Sequence, residues 1–151
     1  LLDYVGIDIA YHGMEYFAEV LSADYKPSAA MSEYIKSGNL GKKTGKGFYD
    51  WSQGRPAIDL SKATKEYDIN HLIALQANEA TKLIEEGVCT DPTEIDLAMA
   101  NGGGSPFGPF ALAKGIGYEV LNAKLEDLYN KFRLEIFKPT KLTKEGKIEV
   151  S

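Results

Sequence analysis

The two ends of the sequence repeat one another, and this repeat constrains the fold more than any other feature. Residues 1–10 (LLDYVGIDIA) align with residues 112–121 (LAKGIGYEVL), with an acid and a hydrophobic pair in register. The aligned pairs, separated only by small gaps, are Val5 with Ile116, Gly6 with Gly117, Asp8 with Glu119, Pro27 with Pro139 and Gly38 with Gly146. Because matches in one order indicate a repeated unit, the sequence predicts two tandem copies, each incomplete where the other is intact.

The composition narrows the class of protein and its partners. A formal charge of −5 over 151 residues argues against nucleic acid as a partner, since phosphates require a basic face. The sequence has no apolar run of the ~20 residues that a membrane span needs, so we expect no membrane partner. The lone Cys89 excludes an intrachain disulfide and favours a reducing, cytoplasmic setting. The chain starts with neither Met nor a signal peptide, and we expect a piece of a longer polypeptide.

Apolar spacing of three and four residues predicts an all-α fold. The longest helix is predicted from an apolar stripe that spans residues 69–88, and Gly87 is predicted to end it. Asn78, Lys82, Glu85 and Glu86 are predicted to face away from that stripe. That stripe consists of Ile69, Leu72, Ile73, Ala77, Ala80, Leu83, Ile84 and Val88. Ala77 and Ala80 would let another helix approach closely.

Shorter helices follow on each side of that helix. Asp91 as N-cap, Pro92 at the first position and Glu94 three residues after the cap predict a helix through Met99 or Ala100. Another brief helix is predicted over residues 110–114. One further helix is indicated by Leu121, Leu125, Leu128 and Phe132. Its counterpart in the first half is indicated by Ala10, Gly13, Met14, Phe17 and Leu21. Only residues 48–51 suggest an extended edge.

Three segments follow from this pattern. Residues 1–52 form the first helical copy, truncated at its N-terminus, and residues 69–151 form the second copy. Residues 53–68 have no long periodic stripe and contain Gly54 and Pro56, which is typical of a linker.

Two glycine-rich stretches resemble nucleotide motifs without meeting their requirements. GKKTGKGF (residues 41–48) contains two Gly-Lys pairs, but the positions five residues before them, where a phosphate loop requires glycine, hold Lys36 and Leu40. The stretch GGGSPFGP (residues 102–109) follows a helix, whereas a dinucleotide fingerprint follows a strand. Two interpretations of Lys42, Lys43 and Lys46 stay open: contact with ligand phosphates, or a solvated loop.

Metal and hydrolase chemistry lack the necessary residues in this sequence. His12 and His71 are the only histidines and Cys89 is the only cysteine, which are too few of the usual zinc ligands for a structural site, so we predict no metal. His12 is interpreted as a surface or packing residue. The serines have no nucleophile-elbow context.

Three motifs together resemble the C-terminal domain of the NAD-dependent L-3-hydroxyacyl-CoA dehydrogenases. They are LLDYVGID (residues 1–8), GNLGKKTGKGFYDW (residues 38–51) and EGVCTDPTEIDLAMANGGGSPFGPFAL (residues 86–112). The resemblance implies a helical domain like the C-terminal domain of 6-phosphogluconate dehydrogenase, in two tandem, partly degenerate copies. The chain would enter the first copy just after its GPF element, and in the second copy the closing loop has shrunk to KPTKLTKEGKIEV.

The resemblance also implies a division of labour. In this family a Rossmann domain binds NAD and supplies a His–Glu pair, which removes the hydroxyl proton while hydride leaves for the nicotinamide. The C-terminal domain closes the acyl-CoA cleft, mediates dimerisation and contributes an Asn at the start of its long helix. That position is Asn70 here, but His71 and Leu75 replace the usual Arg and Pro. We therefore interpret Asn70 as a helix cap and the second copy as a structural mate.

The function implied is that of the substrate-side and assembly domain of a 3-hydroxyacyl-CoA dehydrogenase of fatty acid β-oxidation, inert without its Rossmann domain. Tandem copies suggest a multifunctional parent, with an enoyl-CoA hydratase domain beyond Ser151. The two copies would pair as an intramolecular pseudo-dimer, or the chain would form a homodimer. The alternatives are a non-enzymatic helical interaction module and the helical domain of another β-hydroxyacid dehydrogenase.

Overall fold

The structure, a computed structural model, describes residues 1–148, and every element named in that range is helical. The all-α prediction is confirmed. The chain divides into two compact units, Leu1–Ala63 (unit one) and Thr64–Ser151 (unit two). The predicted linker, residues 53–68, contains the boundary between them. In residues 1–148 no helix is both long enough and apolar enough to cross a membrane.

Unit one consists of three α-helices and three 3₁₀ turns. The helices are α1 (Leu2–Val5), α2 (Ile7–Val20) and α3 (Ala29–Lys36), and the turns are Ala23–Tyr25, Lys42–Thr44 and Leu60–Lys62. Gly6 joins α1 to α2 with a φ of 112°, a conformation that favours glycine. At the predicted extended edge there is no named strand; two isolated antiparallel bridges pair Lys46 with Gly41 and with Asp50.

Unit two contains the longest helix of the chain. Its helices are α4 (Ile69–Glu85), α5 (Pro92–Gly103), α6 (Pro109–Ile116), α7 (Tyr118–Phe132) and α8 (Lys141–Glu145), with a 3₁₀ turn at Glu135–Phe137. The predicted cap of α5 is observed, because Asp91 Oδ1 accepts a hydrogen bond from the amide of Thr93 at 2.8 Å. The helix runs beyond Ala100 to Gly103, and Gly104 ends it in the left-handed conformation.

The core of unit two lies where α4 meets α6 and α7. Its buried members are Ile73, Ala74, Ala77, Ala113, Leu121 and Leu125. The alanines of α4 allow close helix approach, as predicted. The predicted stripe was too wide, however: Ile69, Leu72 and Val88 are more than half exposed. Helix α4 also ends earlier than predicted, at Glu85.

The position of Asn78 was predicted wrongly: the side chain was expected to face solvent, but it is fully buried. Its amide nitrogen donates to the carbonyl of Lys138 at 2.9 Å, and its Oδ1 accepts from the amide of Thr140 at 2.9 Å. Thr81, also fully buried, lies 2.6 Å from the hydroxyl of Thr140. A buried polar side chain is stable only when it is paired in this way, so α4 and the segment before α8 are fastened together.

The two units share a series of local features in the same order. Gly117 joins α6 to α7 with φ 99° and ψ 128°, close to the 112° and 126° of Gly6. A 3₁₀ turn follows the second helix of each pair, and then a helix capped by a hydroxyl: Ser28 accepts from the amide of Met31, and Thr140 accepts from that of Thr143. In this order of features, α1 and α2 of unit one correspond to α6 and α7 of unit two.

Candidate functional site

The loop over residues 38–51 is held in place by the buried carboxylate of Asp3. One oxygen of Asp3 accepts from the amide of Phe48 at 3.0 Å. The other accepts from the amide of Tyr49 at 3.0 Å and from the indole nitrogen of Trp51 at 2.8 Å. Asp3 is only 4% exposed, so these bonds are sheltered from water. One α1 side chain thus fixes the end of the lysine-rich loop.

Glycines allow the loop to approach α1 this closely. A Cβ at Gly41 would overlap the backbone of Asp3, and a Cβ at Gly47 would lie 2.5 Å from its Oδ1. Gly41 also has a φ of 103°, which L side chains rarely adopt. Two of the glycines in GKKTGKGF therefore serve contact with α1 rather than a phosphate.

Asp3 gives unit one a specific acid sensitivity. Burial raises its pKa, but the hydrogen bonds from Trp51, Phe48 and Tyr49 outweigh burial and lower the pKa below the ordinary 3.8. Because the folded state holds the proton less tightly than the unfolded chain, this stabilisation is complete above the ordinary pKa. It is lost as the pH falls through the folded pKa.

We therefore expect the acid-induced unfolding of unit one to depend on Asp3. Trp51, the only tryptophan, contacts Asp3 directly, so its fluorescence can be followed during an acid titration. In Asp3→Asn the stability of unit one should fall less steeply as the pH drops below the ordinary Asp pKa of 3.8, while the contribution of Asp8 remains. An unchanged pH dependence in this variant would contradict the assignment.

The three candidate lysines are exposed and point to different partners. Lys43 donates to Oδ2 of Asp8 at 2.7 Å, and this hydrogen bond lowers the pKa of Asp8. The Lys42 ammonium lies 5.1 Å from the centre of the Tyr4 ring, within cation–π range. Lys46 pairs through its backbone with Gly41 and leaves its side chain exposed. Lys42 and Lys46 are thus the members of the trio whose charge is not already matched by Asp8.

A cavity of about 340 Å³ lies beside the same loop in unit one. Its aromatic lining is Tyr4, Phe48, Tyr49 and Trp51, and its charged lining residues are Asp3 and Arg55. The Tyr4 and Trp51 rings meet edge to face, with centroids 4.8 Å apart. An aromatic wall thus lies beside the loop that carries the three exposed lysines.

The start of α4, where Asn70 lies, is capped by Asp68. Oδ1 of Asp68 accepts from the amides of Asn70 and His71 at 3.0 and 3.3 Å. The interpretation of Asn70 as the cap was therefore wrong; it occupies the second helical position, and its side chain is half-buried. A hydrogen bond from Lys124 at 2.7 Å lowers the pKa of Asp68, which keeps the capping carboxylate charged.

His71 completes this cap. Its Nδ1 accepts from the amide of Asp68 at 3.1 Å, and its Nε2 lies 3.5 Å from a carboxylate oxygen of Asp127. Asp68 and His71 together form a capping box, in which each side chain bonds the other's backbone. The residue that departs from the family's usual Arg thus serves the helix start.

Sequence analysis missed the two anchoring carboxylates. Asp96 on α5 accepts from the amides of Phe110 and Ala111, both at 2.8 Å, and so caps the start of α6. The sequence feature that could have indicated this role of Asp96 is Gly108, because a Cβ at Gly108 would overlap Asp96. For Asp3 the signal was its place in the LLDYVGID motif.

The remaining candidates are unconnected to these sites. His12 is exposed on α2, where its Nδ1 lies 3.0 Å from a Glu15 carboxylate oxygen. Over residues 1–148, no group of three His, Cys, Asp or Glu side chains is arranged to hold a metal ion.

Comparisons with known proteins show the family to which the chain belongs. The family model for the 3-hydroxyacyl-CoA dehydrogenase C-terminal domain matches residues 1–51 and 67–148. The chain is 30% identical to the fatty acid oxidation complex subunit alpha of Vibrio campbellii over 146 residues, which is 87% of this chain and 21% of that protein. It is also 30% identical to the subunit of the same name from Psychrobacter sp. over 127 residues, 70% of this chain and 18% of that protein. The chain therefore spans about a fifth of these relatives.

A solved structure shares the fold. It is 3-hydroxybutyryl-CoA dehydrogenase from Escherichia coli K12, with a TM-score of 0.76 at 18% identity over 95% of this chain and 49% of that one. At that identity the likeness is one of fold alone. The family model, by contrast, covers both units and the motifs around Asp3 and Asp96. The chain belongs to the 3-hydroxyacyl-CoA dehydrogenase C-terminal domain family.

Proposed function

We propose that this chain is the substrate-side and assembly domain of an enzyme that oxidises 3-hydroxyacyl-CoA to 3-ketoacyl-CoA with NAD in fatty acid β-oxidation. The observation that carries the proposal is the family match over both units. The anchored loop of unit one adds physical support, because a rigid, partly cationic edge suits a ligand that carries phosphates.

Cofactor chemistry belongs to another part of the enzyme in this proposal. A dinucleotide site of the Rossmann type needs a glycine-rich turn between a strand and a helix. The glycine-rich turn after α5 instead follows a helix, and the elements of residues 1–148 are helical. These residues do not fit NAD, so the cofactor and the base that removes the hydroxyl proton are assigned to a separate domain.

Within unit one we assign Lys42 and Lys46 to the phosphate groups of the acyl-CoA substrate. Lys43 has the different task of holding the loop through Asp8. Asn70 remains a weaker candidate for substrate contact, because its backbone amide and its neighbours Asp68 and His71 form the cap of α4.

The lysine assignment predicts an effect on substrate binding. In an active enzyme that contains this chain, Lys42→Gln combined with Lys46→Gln should raise KM for a 3-hydroxyacyl-CoA about fivefold or more and leave kcat nearly unchanged. Lys36→Gln is the matched control, since Lys36 is an exposed lysine of the same unit that pairs with Glu33. Equal KM values for the double variant and the control would contradict the assignment.

A domain replacement tests the proposed function. In the fatty acid oxidation complex subunit alpha of Vibrio campbellii, the matching 146-residue segment is replaced by the aligned part of this chain. We expect the hybrid to oxidise 3-hydroxyacyl-CoA with NAD, and the same subunit without the segment to be inactive. A folded hybrid that binds NAD but is as inactive as the deletion would favour the alternative, a helical interaction module without a catalytic role.

The wider organisation is also proposed. The shared order of helices, glycines and caps in the two units supports tandem copies, with unit two the degenerate mate. Exposed apolar side chains such as Phe17 and Leu83 support the assembly role. Homodimers or an intramolecular pairing of the copies, a downstream enoyl-CoA hydratase domain and a cytoplasmic location complete the proposal.

A further inference from the structure

The last turn of α5 contains two glycines that the packing of the helix does not require. Gly102 and Gly103 both belong to α5, and neither has a positive φ. A Cβ at either position would meet no neighbouring atom within 4 Å. Because glycine is less favourable than alanine in a helix, these two residues weaken the end of α5.

The end of α5 is also held by fewer hydrogen bonds than the end of α7. Helix α7 is closed by the amide of Arg133, which donates to a carbonyl of that helix at 2.8 Å. Within residues 1–148, no such backbone bond from Gly104 closes α5. The exposed side chain of Asn101 donates to the carbonyl of Leu97 at 2.8 Å. The last turn of α5 should therefore open to water more readily than that of α7.

We propose that Asn101 is a site of spontaneous deamidation, through a cyclic imide formed with Gly102. When the last turn opens, the backbone nitrogen of Gly102 attacks Cγ of Asn101. The new bond from nitrogen to Cγ replaces the bond from Cγ to Nδ2, and the Gly102 amide proton leaves with Nδ2 as ammonia. Water then opens the ring at either carbonyl and leaves aspartate or isoaspartate. Water is the only co-reactant, and no atom changes its oxidation state.

Glycine at position 102 favours this reaction for two reasons. It has no side chain to hinder the approach of its nitrogen to Cγ, and it readily adopts the backbone angles that the ring imposes. The other asparagines of the sequence are followed by residues with side chains; they are Asn39, Asn70, Asn78, Asn122 and Asn130. The reaction is therefore expected at Asn101 in preference to these positions.

The product places a negative charge at the C-terminal end of α5. A helix C-terminus already carries partial negative charge, and the last turn of α5 has no basic residue to offset another. The new carboxylate also lacks the N–H that bonds to the carbonyl of Leu97. Deamidation should therefore shorten α5 and loosen the segment that leads to the start of α6 at Pro109.

Incubation of the full chain in mildly alkaline buffer, followed by tryptic digestion and mass spectrometry, tests the proposal. The peptide of residues 83–114 contains Asn101 as its only asparagine. Asn130 is the internal control, because it is an exposed asparagine in the last turn of α7 and is followed by lysine. We expect Asn101 to deamidate on the order of tenfold faster than Asn130, since its helix end opens more readily. Isoaspartate should accompany aspartate, because only the cyclic imide gives both.

Two variants separate helix opening from the attack itself. Gly103→Ala keeps the Asn-Gly pair and strengthens the helix, so it should slow deamidation of Asn101 about threefold. Gly102→Ala should slow it further, because the added methyl group also hinders the attacking nitrogen. Equal rates at Asn101 and Asn130, aspartate without isoaspartate, or an unchanged rate in either variant would overturn the proposal.

Discussion

Asp3→Ala is expected to lower the free energy of unfolding of unit one by about 3 kcal/mol. The variant leaves two backbone amides, of Phe48 and Tyr49, and the Trp51 indole without their acceptor. Each loss of a partner for a sheltered donor costs about 1–3 kcal/mol, partly recovered when the loop opens to water. Urea unfolding followed by Trp51 fluorescence measures the change, because this indole lies in the affected contact.

Glu33→Ala is the matched control for that experiment. Glu33 is an acidic residue of the same unit, but it is exposed and pairs only with Lys36 in the same helix. Removing it should change stability little, as exposed ion pairs contribute little. If Asp3→Ala and Glu33→Ala unfold at the same urea concentration, the anchoring role of Asp3 is wrong.

Phe110→Ala is expected to destabilise unit two by about 3–5 kcal/mol. Phe110 is fully buried and packs with Ala80 of α4 and Ile95 of α5, so its removal leaves a cavity where three helices meet. Thermal unfolding followed by circular dichroism measures the loss. Phe107→Ala is the control, because Phe107 precedes the same helix and is 57% exposed. Similar melting temperatures for the two variants would contradict this packing.

Local patterns predicted the elements whose cause is local. The spacing of Ile73, Ala77 and Ala80 predicted α4, and Asp91 with Pro92 predicted the start of α5. Both signals depend on residues within one or two turns, which a single sequence displays directly. The all-α class followed from the same periodicity.

Distant partners explain the errors. Asn78 was assigned to the solvent face because its residue type is polar, but its partners lie about sixty positions away at Lys138 and Thr140. The anchoring role of Asp3 depends in the same way on Phe48 and Trp51. Periodicity carries no information on such pairings, and a buried polar residue is recognised only when its partners are known.

Competing residues explain the error at Asn70. Asp68 and Asn70 are both suitable caps by type, and the resemblance drew attention to the second. The backbone decides between them: Asp68 is extended, with ψ 176°, while Asn70 is already helical. Lys124, more than fifty residues away, then stabilises the charged form of Asp68. That contribution also came from outside the local sequence.

NADH formation from a 3-hydroxyacyl-CoA and NAD is the most direct measurement of the central claim, that this chain supplies the substrate side of a reaction whose cofactor and base lie elsewhere. The purified chain is assayed alone and after addition of a separately expressed dinucleotide-binding domain from a fatty acid oxidation complex subunit alpha. We predict turnover only in the mixture, and less of it when the chain carries Asp3→Ala. Turnover by the chain alone would contradict the account.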